Sequence, residues 1–350
     1  MKIQPVYFLF ITVFIISCKK NADTINPSKQ KKWIVTTIAG DGIAHFKNGA
    51  ALTAEFYAPQ DVTVTADGSI FVADAINHRI RKITNGVVTS YAGSGVEDTT
   101  GGTGDAATFS FPLQITSDAA GNLYTIDVED LRIRKISPSS LVTVVAGNGE
   151  RGFANGSAAD AKFDETTGIA TDNQGNIYIS DNGNKRIRKI SADGLVTTIA
   201  GNGRDAYMNG KGNNAEFFFP TGIVIDKHGN LFVADYNRIR KITPDATVST
   251  FAGNETVGYK DGQANIAQFT FINDMVMDDS GNIFVTDNNK IRKISPEGIV
   301  STVAGSTAGY NDGDGASAKF NNPVGLGIDS NGNIYVADDN NNRIRKISFE

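Results

Sequence analysis

One cysteine in 350 residues leaves no material for an internal disulfide framework or a cysteine-based zinc cluster. With only three histidines beside it, serine–histidine–aspartate and cysteine–histidine catalysis have little to draw on. Neither charge sign dominates: 33 Lys and Arg against 38 Asp and Glu leave a formal net charge of -5. That excludes the strongly basic surface through which proteins attract nucleic acid. A sustained 3.6-residue apolar period is missing throughout, which argues against helices. Apolar residues at 40% and 37 glycines are present in the amounts of an ordinary globular protein able to bury a core.

The single long apolar run, residues 6–16 (VYFLFITVFII), follows a basic Met1-Lys2 start. Eleven residues rise only about 16 Å as a helix, short of the roughly 30 Å hydrocarbon core, so the run reads as the apolar part of a signal peptide. Ile15-Ile16-Ser17-Cys18 then resembles the lipobox of bacterial lipoproteins. The resemblance implies that Cys18 is lipidated after cleavage of residues 1–17. Residues 18–32 are polar, with the composition of a flexible tether. Lys19 stands where an Asp would signal inner-membrane retention, so the expected location is the outer membrane of the cell envelope.

Residues 33–350 are six repeats. The pentapeptide Arg-Ile-Arg-Lys-Ile ends at Ile83, Ile136, Ile190, Ile242 and Ile347, with a Lys-Ile-Arg-Lys-Ile copy ending at Ile294. Upstream of each lies a β-rich run ending in Asp: Asp74, Asp127, Asp181, Asp235, Asp287 and Asp338. Val-Thr-Thr-Ile-Ala-Gly or a close variant ends at Gly40, Gly93, Gly147, Gly201, Gly253 and Gly305. Four short β-branched and aromatic runs (a, b, c and d) recurring every 50-odd residues are the signature of propeller blades. The phase supplies a further expectation. The last blade stops after its third strand, and the run from Trp33 is a fourth strand with no blade before it. Pairing the two closes a ring and covers both open edges. The predicted fold is all-β: a six-bladed β-propeller of four-stranded blades, closed by the N-terminal strand.

The pattern Pro-x-Gly-Ile-x-x-Asp-x-x-Gly-Asn-Ile-Tyr-Val-Ala-Asp-x-x-Asn-x-Arg-Ile, clear over residues 323–344, resembles the NHL repeat. The resemblance implies a platform for protein or ligand binding, an RNA binder in some regulators, or, in a related amidating lyase, a metal enzyme. Fold does not choose among these.

Residues 147–152 match G-x-G-x-x-G by letter, but no helix follows and the loop recurs in other blades, which excludes a dinucleotide site. The Asp closing each b strand is expected to cap its turn and face the cation opening strand c: Arg79, Arg132, Arg186, Arg238, Lys290 or Arg343. The eighteen basic residues of the c strands are expected on exposed outer sheet, and nucleic acid is not an expected partner. His45 and His78 belong to loops on one face and His228 to the other, so the three cannot form the histidine zinc site of the lyase relatives.

Departures from sixfold repetition are where a site is grafted. Five residues after the recurrent Phe of each blade stand Asp61, Gln114, Gly168, Gly222, Asp274 and Gly325. Asp61, Gln114 and Asp274, with neighbouring Asn273, are expected at the channel mouth as oxygen ligands for calcium or polar contacts for another ligand. Neutral replacement of glycine is the alternative. Phe46, Phe153, Tyr207, Tyr259 and Tyr310 recur and are expected to pack loops onto blades. Phe111, Phe219 and Phe271 are irregular and are expected to form an exposed contact surface. The functional expectation is a lipid-anchored binding scaffold whose loop face takes a protein, peptide or glycan. A calcium-dependent lyase or lactonase-like hydrolase at the channel mouth is the alternative.

Overall fold

Each repeat folds outward from the ring axis. The structure, a computed structural model, describes residues 1–2 and 31–350; Cys18, the rest of the signal segment and the tether up to residue 30 lie outside the described residues. In blade one, strand a (Pro59–Val64) is innermost and pairs antiparallel with b (Ile70–Asp74), then c (Arg79–Thr84), then d (Val87–Ala92). The same order recurs in all six sheets. Each sheet also has a fifth, two-residue strand outside d, such as Gly49–Ala50, contributed by the loop that leads into the same blade. Two residues carry no periodicity, which is why the repeat pattern shows four strands.

The a-to-b turns are built by Asp and Gly. Asp172 Oδ1 accepts the amides of Gln174 and Asn176, and Gly175 takes the left-handed φ of 81° that the reversal requires. Strand b, with blades on both sides, is buried along its whole length in every blade. The core is six apolar clusters, one at each blade–blade interface, and each receives one fully buried Phe: Phe56, Phe109, Phe163, Phe217, Phe269 or Phe320.

The ring closes as the phase requires. Trp33–Ala39 pairs antiparallel with Arg343–Phe349 and serves as strand d of blade six. Lys32 and Glu350 exchange backbone hydrogen bonds of 2.6 and 2.9 Å, and Trp33 packs on Phe349 with ring centroids 4.9 Å apart.

The expected partner of the b-strand Asp is corrected. Its carboxylate is held by the second arginine of strand c, not the first. Arg81, Arg188, Arg240, Arg292 and Arg345 reach Asp74, Asp181, Asp235, Asp287 and Asp338 at 2.5 to 2.8 Å, with both side chains at most 1% exposed. Six of the eighteen basic c-strand residues are therefore interior rather than on exposed sheet. The first arginine is claimed elsewhere: Arg186 donates to the carbonyls of Asn184 and Asn202 and lies over the Phe153 ring at 4.0 Å. Arg79, Arg238 and Arg343 stack likewise on Phe46, Tyr207 and Tyr310, so the recurrent aromatics do pack their loops onto the blades.

Each buried arginine is a hub. Arg188 donates to Asp181, to the carbonyls of Lys162 and Ala154, and to Asn155 Oδ1, fastening both limbs of the incoming loop. Asp181 in turn accepts the amide of Asp164 at the entry to strand a. Burial pushes the pKa of Asp181 up, and the amide of Asp164 and the charge of Arg188 pull it back. Blade two lacks the loop aromatic and has Gly101 where blades one and three have Asn48 and Asn155. There Asp130 supplies the missing acceptor, bonding both Arg132 and Arg134, while Arg134 lies 3.6 Å from Asp127.

Removing one member of such a pair strands the other charge in the interior. Asp181→Ala and Arg188→Met are each expected to cost about 3–5 kcal/mol in urea unfolding, with the double variant costing less than the sum. Strict additivity would show that the pair is not coupled.

Candidate functional site

The inner ring is set by the third residue of each a strand. Asp61, Gln114 and Asp274 stand there in blades one, two and five, and all three are 3 to 5% exposed. They are not at the mouth of the loop face. They lie at one end of a channel cavity of about 260 Å3 that continues past Thr63, Thr116 and Val276 to the far ends of the strands, including Ser117 and Met277. Asn273, one residue earlier, does not line it. The channel is therefore reached from the a-to-b turn face, opposite to the side expected.

Glycine in the blade before each of the two aspartates is a steric requirement. A Cβ on Gly325 would fall 2.2 Å from Asp61 Oδ1, and one on Gly222 would fall 2.7 Å from Asp274 Cα. Each carboxylate lies over the glycine of the preceding blade, so these glycines are required by their neighbours. The aspartates also knit blades together: Asp61 Oδ2 accepts the Ile115 amide of blade two at 2.8 Å, and Asp274 Oδ2 accepts the Leu326 amide of blade six at 2.8 Å. Asp61 Oδ1 takes its own neighbour, the amide of Val62.

Burial, then the charge of Asp274, drives the Asp61 carboxyl well above the ordinary range. Burial raises Asp274 to about 6, against amide donors from Leu326, Met275 and Gln114. A calcium site presents converging oxygens, six to eight of them. Here N–H groups converge on the carboxylates, the amides of Val62 and Ile115 on Asp61 and that of Leu326 on Asp274, and take the lone pairs an ion would need. This donor set does not fit a calcium ion.

The irregular phenylalanines behave differently. Phe219 and Phe271 meet with centroids 5.7 Å apart, as part of a run of five rings across blades four and five. Phe271 packs edge-on to Tyr236 at 5.6 Å, Tyr236 on Phe218 at 5.5 Å, and Phe218 on Tyr207 at 5.3 Å. The Lys185 ammonium lies 5.1 Å from the Phe219 centroid, a cation–π contact reaching in from blade three. Phe218 is 37% exposed; Tyr207, Phe219, Tyr236 and Phe271 are half-buried. Phe111, in blade two, is not part of this ledge. The sequence reading missed Phe218 and Tyr236. The Phe217-Phe218-Phe219 run and the aromatic directly after Asp235 were the available signals.

The b-strand aspartates position these residues. Asp235 Oδ1 accepts the amides of Phe218 and Phe219, Asp287 Oδ1 that of Phe271, and Asp127 Oδ1 that of Phe111.

The model of the teneurin NHL domain matches residues 33–208, and that of the NHL repeat matches residues 320–347. The chain belongs to the teneurin NHL-domain family. Teneurin-3 of Mus musculus is 27% identical over 379 residues, covering 91% of this chain and 14% of its own length. The chain thus spans a small part of the teneurins it matches. Among solved structures, an auxiliary nutrient binding protein from Bacteroides thetaiotaomicron superposes with a TM-score of 0.70 at 18% identity, covering 92% of this chain and 77% of the other. Virginiamycin B lyase from Staphylococcus aureus superposes at 0.53 with 15% identity, covering 91% and 99%. At such identities these two show the shared NHL propeller fold alone.

Folding raises both inner-ring carboxyls, so their protonated forms favour the folded state. That stability is complete below the ordinary carboxylate pKa of 3.8, and the share of Asp274 is lost as pH rises through about 6. Asp274→Asn is expected to raise the Tm at about pH 8 and to leave it unchanged near pH 4 in calorimetry. A lower Tm at the higher pH would reject the raised pKa.

Proposed function

We propose that this chain is a lipid-anchored binding propeller of the bacterial cell envelope, and that its loop face takes a protein, peptide or glycan at the ledge of Phe219 and Phe271. The observation that carries the reading is the ledge itself. Five aromatic rings run together across two blades at the rim, whereas in the other blades the aromatics at equivalent positions, such as Tyr57 and Phe111, stand among smaller or polar residues such as Ser110, Asp164 and Asn321. Such rings supply large contact area at small entropic cost and serve proteins, peptides and sugars alike as binding platforms. A rigid scaffold under mobile ligands suits this use, since the ledge backbone is pinned by the buried Asp–Arg pairs. The description of a structural neighbour as nutrient-binding agrees with it.

Support for the anchor comes from the sequence: the apolar run of residues 6–16, the lone Cys18 behind Ile15-Ile16-Ser17, and the polar residues that follow. Lys19 after Cys18 favours the outer membrane. One acyl chain alone holds a protein only weakly, so a stable anchor requires the multiple acylation typical of a lipidated N-terminal cysteine.

Peptide and glycan arrays probed with the protein test the ledge. Ligands captured by the wild type are expected to bind about 10- to 100-fold more weakly to Phe219→Ala/Phe271→Ala, whose stability is checked in parallel. Equal binding by the double variant would move the site away from the ledge. The anchor has its own test in detergent phase partition: the expressed wild type enters the detergent phase and Cys18→Ser stays in the aqueous phase. Identical partition of the two would remove lipidation at Cys18.

A further inference from the structure

The a-to-b turn face carries grooves between adjacent blades, the roomiest of the described ones, about 700 Å3, between blades three and four over Tyr178, and the groove between blades four and five differs from it in having a phenylalanine floor. Each groove is walled by the second residue of strand b, by the residue before the last Ala of strand d, and by the turns of the next blade. In blades two, three and six the b-strand residue is Tyr124, Tyr178 or Tyr335, and its hydroxyl is spent on the turn aspartate of its own blade at 3.0 to 3.1 Å. Blades one, four and five have Phe71, Phe232 and Phe284 there, with nothing to donate.

Two of these three phenylalanine grooves are partly filled or bridged from within. At blades five and six, Phe284 is covered by Trp33, whose ring meets it edge-on at 6.0 Å. Phe349 beside Trp33 occupies the register that Pro296 holds in blade five: each lies two residues beyond the Ile that pairs with the first residue of strand b. At blades one and two, Tyr91 lies against Phe71 at 4.8 Å and its hydroxyl donates to the Ser137 carbonyl across the groove at 3.0 Å. The space left there is about 340 Å3.

The groove between blades four and five has neither feature. Phe251 holds the register of Tyr91, each preceding the Ala that pairs with the first Ile of strand c, and it packs on Phe232 at 5.0 Å in the same edge-on manner. Without a hydroxyl it cannot reach the Ser295 carbonyl, the counterpart of Ser137. Ser295 O accepts one amide, that of Gly298 at 2.8 Å, as Ser137 O accepts that of Ser140. A carbonyl has two lone pairs, so one remains for a second donor. About 500 Å3 stays open over Phe232, Phe251, Met277 and Pro296, the residue after Ser295, with a polar rim that includes Asp226, Lys241 and Asp278, a size suited to a small molecule.

We propose that this groove binds a small phenolic or indolic molecule. Its ring lies against Phe232 and Phe251 as Trp33 lies against Phe284, with Met277 sulfur offering a further ring contact. Its single hydroxyl or ring N–H donates to Ser295 O as Tyr91 donates to Ser137 O. The site is on the face opposite to the aromatic ledge and stands whether or not the ledge binds anything.

Titration calorimetry of the full chain with p-cresol tests it, with toluene as the ring that lacks a donor. The expected result is saturable one-site binding, about fivefold tighter for p-cresol than for toluene, the worth of one hydrogen bond. Phe251→Tyr installs the blade-one latch inside this groove and is expected to abolish p-cresol binding at an unchanged or higher Tm. Ser280→Trp, at the exposed rim, fills the groove from the other side and is expected to do the same should the first variant fold poorly. Absence of saturable binding up to the solubility limit of p-cresol overturns the proposal, as does undiminished binding by the folded variants. Toluene binding as tightly as p-cresol overturns the role of Ser295.

Discussion

A buried carboxylate facing a buried guanidinium, repeated around the ring, is the interaction on which the loop face depends. Neither charge is cheap to desolvate, and the ion pair alone would add little to stability. Its value lies in what the guanidinium has left over. Each arginine turns its terminal nitrogens also to carbonyls of a long loop, and each aspartate accepts amides at the entry to strand a. Loops that would otherwise be free to move are thereby tied into the sheet at both limbs. A loop aromatic stacked over the neighbouring cation in five of the six blades completes the clamp.

Around this shared frame the departures divide into two kinds. Some are internal compensations: Asp130 stands in for a lost loop acceptor, and Asp61 and Asp274 bridge blades above glycines that leave them room. These keep the ring closed and explain themselves. Others leave something unused. The five rings of the ledge exceed what packing the loops requires, and the Phe232–Phe251 pair floors a space that the two other phenylalanine grooves fill with Trp33 or cross with Tyr91. Surplus apolar surface at fixed positions is the feature that a structural role does not account for.

Much of this was legible in the residues. Period, strand count to within the two-residue outer strands, and closure by the segment from Trp33 all follow from spacing and phase. The tie between loop aromatics and blades was readable from recurrence, while the irregular set of Phe111, Phe219 and Phe271 held two rings that meet and one that stands away from them. The identity of the buried arginine was not. Arg79 and Arg81 share one side of their strand, and which of them turns inward depends on carbonyls donated by loops far away in sequence. The depth of Asp61 and Asp274 was equally hidden, because a strand position does not say which end of the channel is sealed. Phe218 and Tyr236 meet within blade four, and only the contacts of Tyr236 and Phe219 with Phe271 depend on the angle between two blades, a quantity that no single repeat contains.

The closing ladder has one more consequence. Because Lys32 and Glu350 are hydrogen-bonded to each other on the outer edge of one blade, the chain enters and leaves the ring at a single point. A body of this kind can be spliced into a longer polypeptide as a side loop, without pulling apart the segments before and after it. It can also be cut at any exposed turn and rejoined through a short linker between its present ends, with every ladder retained. Propellers closed this way are portable, which accords with this fold standing as a small fraction of the far larger teneurins.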